Sequence, residues 1–355
     1  MVLQNLYLRD YRNIDRLQLA FHPKLNIIIG PNGAGKTNIL ESLLVTSNTR
    51  SFRTNEDSDL ITKSKEHCLI DVLADKQYRV VISRLGKSLF INRDPISKTS
   101  DFIGRFNCVL FKPGDIELFS QSSRERRKLI DLEVGKVSKI YLKTLVDYNK
   151  LLKEKNCLLK SERIDENYLM TLDEMMAPLI YEIIKERLEF VTFINNLLSD
   201  AYFELSGEQH EIFITYKPSF DLNIDTILSD LKVAHKRDLI LHYTSIGPQR
   251  EDITFKYDDF ELTSVASQGQ KRMVMIAFKM ALIAYIESKT NEKPLVLLDD
   301  ILSELDVANK ERLLKKIPLI GQTIITGTDI LNLNINYPCR VIAIEKGAIN
   351  GVNDY

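Results

Sequence analysis

Residues Leu25–Leu44 read LNIIIGPNGAGKTNILESLL, and the fold class follows from this stretch. LNIII is a short apolar run of the kind that forms a strand buried on both faces. GPNGAGKTN, Gly30–Asn38, fits G-x-x-x-x-G-K-[ST] at every fixed position. ILESLL continues with helical spacing, placing Ile39, Leu40, Leu43 and Leu44 to one side. Strand, glycine loop and helix in that order make a phosphate cradle. Gly30, Pro31, Asn32, Gly33, Ala34, Gly35 and Asn38 supply the loop, which turns tightly and aims backbone N–H groups at phosphate oxygens. The helix start adds its partial positive charge. Lys36 is expected to reach the β- and γ-phosphates, and the Thr37 hydroxyl to ligate Mg²⁺.

Composition narrows what such a cradle can serve. The chain has 355 residues, 44% hydrophobic and 27% charged, enough for a large core or two domains. Net charge is −1, so any nucleic-acid binding must rest on local patches. Cys68, Cys108, Cys157 and Cys339 show no CxxC spacing, which argues against zinc and reads as reduced, mostly core thiols. The first residues, MVLQNLYLRDYRNID, lack the apolar core of a signal peptide. No run of about 18 apolar residues occurs, so no transmembrane helix and no membrane partner are expected, and the chain reads as cytoplasmic.

Periodicity divides the chain in three. Up to residue 120 it reads as strands with one strong helix: LYLRDYRNIDRLQLAF alternates with period two, and HCLIDVLADKQYRVVISRLGKSLFINRDPIS reads as a meander. Residues 121–205 are poor in Gly and Pro and rich in Leu, Lys, Glu and Ile. Leu145, Tyr148, Leu152 and Leu159 suggest a helix–helix seam, KSERIDENYLM a turn, and APLIYEIIKERLEFVTFINNLLSDAYFEL a second long helix. This is an inserted helical lid, too short for a coiled-coil arm, since even 35 helical residues span only about 50 Å. Strand signals return over 206–355, in HEIFITYKPSF, DITFKYDDFEL, KPLVLLDD, QTIITGTD and RVIAIEKGAI. The expected fold is α/β: a P-loop ATPase head with a mixed sheet, split by a helical lid.

Two further motifs complete the chemistry. In PLVLLDD, Asp299 ends an apolar strand, where a Mg²⁺-contacting carboxylate belongs. Asp300 follows at once and could orient or deprotonate the attacking water, the adjacent charges being relieved by a cation. SQGQ, Ser267–Gln270, opens a long helix and reads as a second anion site, formed by a serine hydroxyl and a helix N-terminus. Taken alone it fits any helix start. Set about 30 residues ahead of LVLLDD, and with SELD at Ser303–Asp306 just behind, it suggests that two subunits meet around one nucleotide.

Together these motifs resemble the heads of SMC-related ABC-type ATPases. LYLRDYRNIDRLQLAFHPKLNIIIGPNGAGKTNILESL, RSFRT, LFKPGDIELFSQSSRERRKLID, IGPQREDI, SQGQKRM and LLDDILSELD, in that order, resemble the RecF family of bacterial DNA replication and repair proteins across essentially the whole chain. That resemblance implies ATP and Mg²⁺ as cofactors and an ATP-dependent homodimer. It also implies binding to gapped single-stranded or duplex DNA, and RecA loading with RecO and RecR in recombination and the SOS response. By it, Lys36, Thr37 and Arg12 serve the nucleotide, Ser267, Gly269 and Gln270 form the signature facing the partner's γ-phosphate, Asp299 and Asp300 are the Walker B pair, and Asp306 is the D-loop aspartate. The chain departs from the family where GPQRED carries Gln249 in place of an expected His. Thr328 in ITGTD stands near the switch-histidine position, and Gln121 is a candidate Q-loop residue.

DNA contact is expected from Arg124, Arg126, Arg127 and Lys128 in SSRERRKLID, and from Arg50 and Arg53 in NTRSFR. A solvated face paired with Glu125 and Asp131 is the competing reading. Sparse aromatics and no Trp favour backbone recognition over base stacking. The runner-up function is an ABC ATPase subunit acting on a membrane or other protein partner. A translation-type protein would carry two ATPase sets, and this chain has one.

Overall fold

Leu25–Ile29 is buried along almost its whole length, as a run with no polar alternation demands, and the first of two units is built around it. The computed structural model describes residues 1–329 and 337–355. In chain order, β1 (Asn5–Tyr11) and β2 (Ile14–Ala20) form a hairpin, and β3 (Leu25–Ile29) leads through the glycine loop into α1 (Lys36–Asn48). The meander β4 (His67–Leu73), β5 (Gln77–Ser83), β6 (Gly86–Ile91) and β7 (Asp94–Ile96) follows, then a single turn α2 (Thr99–Phe102) and β8 (Cys108–Phe111). Next come α3 (Ser123–Val137), α4 (Lys139–Leu158), α5 (Glu166–Ser206), β9 (Ile212–Tyr216), α6 (Ile224–Leu241), β10 (Ile253–Tyr257), β11 (Phe260–Glu261) and α7 (Leu262–Val265). The chain closes with α8 (Gln268–Thr290), β12 (Leu295–Asp299), α9 (Val307–Ile320), β13 (Thr323–Gly327), β14 (Cys339–Glu345) and β15 (Ala348–Asp354).

The first unit comprises Met1–Ile116, Asp200–Gln209 and Ser267–Tyr355. Its sheet runs β15-β14-β3-β13-β12-β8. Every pairing from β14 to β8 is parallel, and β15 adds an antiparallel edge. The N-terminal strands make a separate six-stranded antiparallel sheet, β2-β1-β4-β5-β6-β7. One apolar core joins α1 to both sheets through Leu8, Ile28, Leu40, Leu43, Ile70 and Leu297. α1 is more deeply placed than its spacing suggests: Glu41, Ser42, Thr46 and Ser47 are buried as well as its apolar side. Three of the four cysteines are buried, and Cys157 is exposed.

The second unit is Glu117–Ser199 with His210–Ala266, which corrects the expected end of the lid at residue 205. β9, β10 and β11 pair only with one another, as a three-stranded antiparallel sheet. The strand signals of HEIFITYKPSF and DITFKYDDFEL therefore belong to the lid unit and not to the head. α6 occupies a stretch with no sequence-based assignment. α5 is also longer than expected. It begins at Glu166, inside the predicted turn, and continues through Pro178 for 41 residues, about 60 Å at 1.5 Å per residue. Among the described residues no helix is long and apolar enough to cross a membrane.

Buried charge organises the second unit. Arg187 of α5 is 2% exposed. Its guanidinium donates to both Asp131 oxygens at 3.0 Å, to Glu251 Oε2 at 3.0 Å and to the Pro248 carbonyl at 2.9 Å. Glu251 also accepts from the Ser219 N–H at 2.8 Å and from the Tyr216 hydroxyl. α3, α5 and the GPQRED loop thus share one cation. Gln249, the departure from the family pattern, accepts from the buried Tyr148 hydroxyl and donates to the Ile246 carbonyl at 3.1 Å, so it holds the loop from within. Arg187→Met would leave the buried Glu251 carboxylate and the partly buried Asp131 carboxylate without their cation, a loss of about 3–5 kcal/mol. Urea denaturation should show it as a markedly lower midpoint for the second unit, and an unchanged midpoint would contradict this reading.

Candidate active site

The glycine loop departs from β3 under a tight steric constraint. Gly30 has φ +156°, and a Cβ there would lie 2.1 Å from the Ile344 carbonyl oxygen of neighbouring β14. Only a residue without a side chain allows the two strands to approach this closely. Gly33, at φ +80°, is different: a Cβ there would meet nothing within 4 Å. Its bare backbone faces open space, as a phosphate cradle requires. Lys36 folds back over the loop, its Nζ donating to the Gly30 and Pro31 carbonyls at 2.6 and 3.1 Å.

The Walker elements meet across 262 residues of chain. Thr37 Oγ1 donates to Asp299 Oδ1 at 3.0 Å. The same carboxylate oxygen accepts from Thr326 Oγ1 at 2.9 Å, and that hydroxyl in turn accepts from the Asp300 N–H at 3.0 Å. Asp299 is 8% exposed and makes no ion pair among the described residues. Burial pushes its carboxyl above the usual carboxylate range, the Thr326 and Thr37 hydrogen bonds draw it back, and the Asp300 charge pushes it up again. A hydroxyl beside a buried, cation-free carboxylate is a donor set suited to Mg²⁺. Asp300 sits in the left-handed region at φ +55°, a conformation that recurs at functional sites.

Supporting residues appear that the motif alone does not name. Thr326 is one. Asn13 is another: its side chain donates to the Gly33 carbonyl at 3.1 Å and accepts from Asn38 at 2.7 Å, so the β1–β2 turn braces the loop. Arg12, expected at the nucleotide, binds Glu41 of α1 in bidentate fashion at 2.9 and 2.7 Å. Glu41 is fully buried, and its carboxylate raises the Arg12 pKa. Arg53, expected on DNA, donates instead to Asn38 at 2.7 Å and stands 3.8 Å from Glu41. Arg50 is exposed.

The signature and D-loop residues have intramolecular duties. Ser267 caps α8: its hydroxyl accepts from the Gln270 N–H at 3.2 Å, while the Gln270 side chain accepts from the Ser267 N–H at 2.9 Å. This capping box corrects the expectation of a free helix start. Gly269 lies exposed beside it. Asp306 caps α9 through the Asn309 N–H at 2.8 Å. Arg272 of α8 pairs with Glu304, tying the signature helix to the SELD turn. Thr328 is exposed just past β13. Gln121 is in the second unit, its carbonyl accepting from Arg126.

The expected basic cluster on α3 does not stand as a unit. Arg126 is bidentate to Asp252 at 2.8 Å. Arg127 donates to the Glu251 carbonyl, and burial with the nearby Arg187 charge lowers its pKa. Lys128 pairs with Glu125 at 2.7 Å, and Arg124 is exposed. Arg126 and Arg127 are thus engaged within their own unit, by the Asp252 carboxylate and the Glu251 carbonyl, and not presented as a cluster to DNA.

Known proteins resemble this chain in sequence and fold. A family described as RecF/RecN/SMC N terminal domain matches residues 2–330. The DNA replication and repair proteins RecF of Streptococcus pneumoniae strains CGSP14 and ATCC BAA-334 / TIGR4 are each 36% identical over 365 aligned positions, covering 99% of this chain and 100% of theirs. Among solved structures, the recombination mediator protein RecF-ATP in the RecFOR pathway aligns with TM-score 0.90 and 30% identity, over 100% of this chain and 97% of that one. The RecF-ATPrS structure gives 0.88, also at 30%, over 98% and 97%. An Smc head bound to the C-winged helix domain of ScpA, at 16% identity and TM-score 0.60, shares the fold.

The raised Asp299 pKa carries a signed consequence. A carboxyl raised in the folded state contributes stability that is present at acid pH and lost as pH rises through the raised value. Asp299→Asn should therefore raise the melting temperature of the nucleotide-free protein at neutral pH, with the gain vanishing at acid pH. The same variant should lose Mg²⁺-dependent ATP hydrolysis. Differential scanning calorimetry across pH, with a phosphate-release assay, checks both halves. Gly30→Ala should lower the melting temperature and abolish binding of a fluorescent ATP analogue, because the new Cβ would lie only 2.1 Å from the Ile344 carbonyl oxygen, which belongs to a paired strand and cannot move aside.

Proposed function

The chain belongs to the RecF family of SMC-related ABC-type ATPases, and from that premise we propose that it is an ATP-gated DNA-binding switch of recombinational repair. In this reading ATP joins two copies, the closed dimer holds gapped DNA in the cytoplasm at the nucleoid, and slow hydrolysis resets it. It acts with RecO and RecR in support of RecA loading. The observation that carries the reading is the meeting of Thr37 with the buried, unpaired Asp299.

The residues divide the work as follows. Lys36 leaves the Gly30 and Pro31 carbonyls to hold phosphate oxygens, with the loop N–H groups around Gly33 beside it. Thr37 and Asp299 hold Mg²⁺, which when bound neutralises charge developing on the phosphates. Thr326 keeps Asp299 in place, and its bond to the Asp300 N–H fixes the next residue. Asp300 orients the attacking water. Gly269 and the capped start of α8 present backbone N–H groups to the partner's nucleotide, so ATP stabilises the dimer by mass action. The names and titles of the relatives, DNA replication and repair protein and recombination mediator protein, support DNA as the partner.

Gly269→Asp tests the shared site. A Cβ at position 269 meets only Ser267 Oγ, at 3.9 Å, and a carboxylate in the first turn favours the helix. The variant should fold and bind ATP like the parent, yet fail to dimerise with ATP, because its charge opposes the partner's phosphate. Sedimentation velocity with and without ATP reads this out. A variant that dimerises like the parent would remove the signature from the interface.

A further inference from the structure

The outer face of α4 carries a row of lysines. Lys139, Lys143, Lys150 and Lys153 follow at steps of four, seven and three residues. At roughly 100° per residue all four fall within about 80° of arc, along about 21 Å of helix. All four are exposed. Tyr141, Thr144, Tyr148 and Lys155 on the other side are buried, so the orientation of the helix is settled by its core. None of the four lysines has an ion pair or side-chain hydrogen bond among the described residues. No acid lies within the stripe; Asp147 and Glu154 border one flank. They stand four residues after Lys143 and Lys150, the less favourable order for a helical pair. Neither closes on a lysine, and Glu154 instead accepts from the Tyr168 hydroxyl.

This row differs in kind from Arg126 and Arg127 of α3, which Asp252 and the Glu251 carbonyl already hold. Resting on the DNA-acting reading above, we propose that the exposed face of α4 is a contact surface for the phosphate backbone of duplex DNA. A straight row of unpaired cations on a stiff helix complements a stiff, regularly charged rod. The face carries Val146 between the lysines, Cys157 one turn beyond Lys153 and no aromatic side chain, so it has nothing with which to stack bases. Contact there is independent of sequence. The face also lacks the large apolar residues that seat a helix in a lipid interface, which disfavours an anionic membrane as the occupant.

The test compares the full-length parent with the fourfold variant Lys139→Gln, Lys143→Gln, Lys150→Gln, Lys153→Gln. Fluorescence anisotropy on a labelled gapped duplex is recorded with ATP over a salt series. Four lost contacts, at roughly 0.9 each, should make the log–log salt slope shallower by about 3–4 units. The affinity at low salt should fall by at least about tenfold, while ATP binding and melting temperature stay unchanged. The double variant Lys139→Gln, Lys143→Gln should lose about half of that slope. If the parent binds duplex with a normal slope and the fourfold variant matches it, α4 is not the contact and the DNA-acting reading stands. If the parent itself shows no ATP-dependent DNA binding, both fall. If duplex binding is unchanged and only binding to phosphatidylglycerol vesicles is lost, the surface belongs to a membrane and the proposal is overturned.

Discussion

A buried carboxylate without a cation sets the terms for the first unit. Asp299 is stabilised by hydroxyls from two different elements, Thr37 of α1 and Thr326 of β13. That is possible only because β13 lies between β3 and β12, with Thr326 paired to Ile28 on one side and to Asp299 on the other. Parallel pairing brings the ends of all three strands to one edge, so the glycine loop, the acid pair and Thr326 converge there. The same edge requires Gly30, because β14 packs its Ile344 carbonyl against the start of the loop. Strand order, the missing side chain and the position of the acid are one constraint seen from three residues.

The second unit meets the same problem with the opposite solution. Its acids Glu251, buried, and Asp131, partly buried, face Arg187, and Asp173 faces Lys155 at 2.6 Å, with Asp238 at 3.6 Å from the same ammonium. A carboxylate facing a fixed guanidinium or ammonium has its charge offset from within the chain. A carboxylate answered only by hydroxyls keeps its charge uncompensated and its preference for a divalent ion. This difference separates the acids that organise the second unit from Asp299, the acid proposed to hold the metal.

The convergence of the glycine loop and LLDD at one sheet edge was legible in the sequence because each motif is contiguous and carries its own strand. Supporting residues were not legible in this way. Thr326 reads as one more β-branched residue in a strand, and only the strand order places it against Asp299. Asn13 was marked by its block but not given a task, since that task depends on a hairpin turn folding over a loop 20 residues away. The boundary of the lid was misplaced for a related reason. Short strands such as ITFKY carry no sign of which sheet they join, and β9 to β11 pair among themselves. Pro178 misled in the other direction, since packing carries α5 through a residue that would start or stop an isolated helix.

The cations teach a similar lesson about clusters. RERRK draws the eye because four basic residues fall within five positions. Yet density in sequence spreads residues around a helix, and Arg126 and Arg127 turn toward Asp252 and the Glu251 carbonyl. The lysines of α4 are spread over 15 positions and look unremarkable in one dimension. Their spacing matches the helical period, so they gather on one face, opposite Tyr141 and Tyr148. What makes a cation free to act outward is the absence of an acid within reach, and that depends on which face the core claims. The burial of Tyr148, whose hydroxyl also holds Gln249, therefore orients both the GPQRED loop on one side of α4 and the lysines on the other.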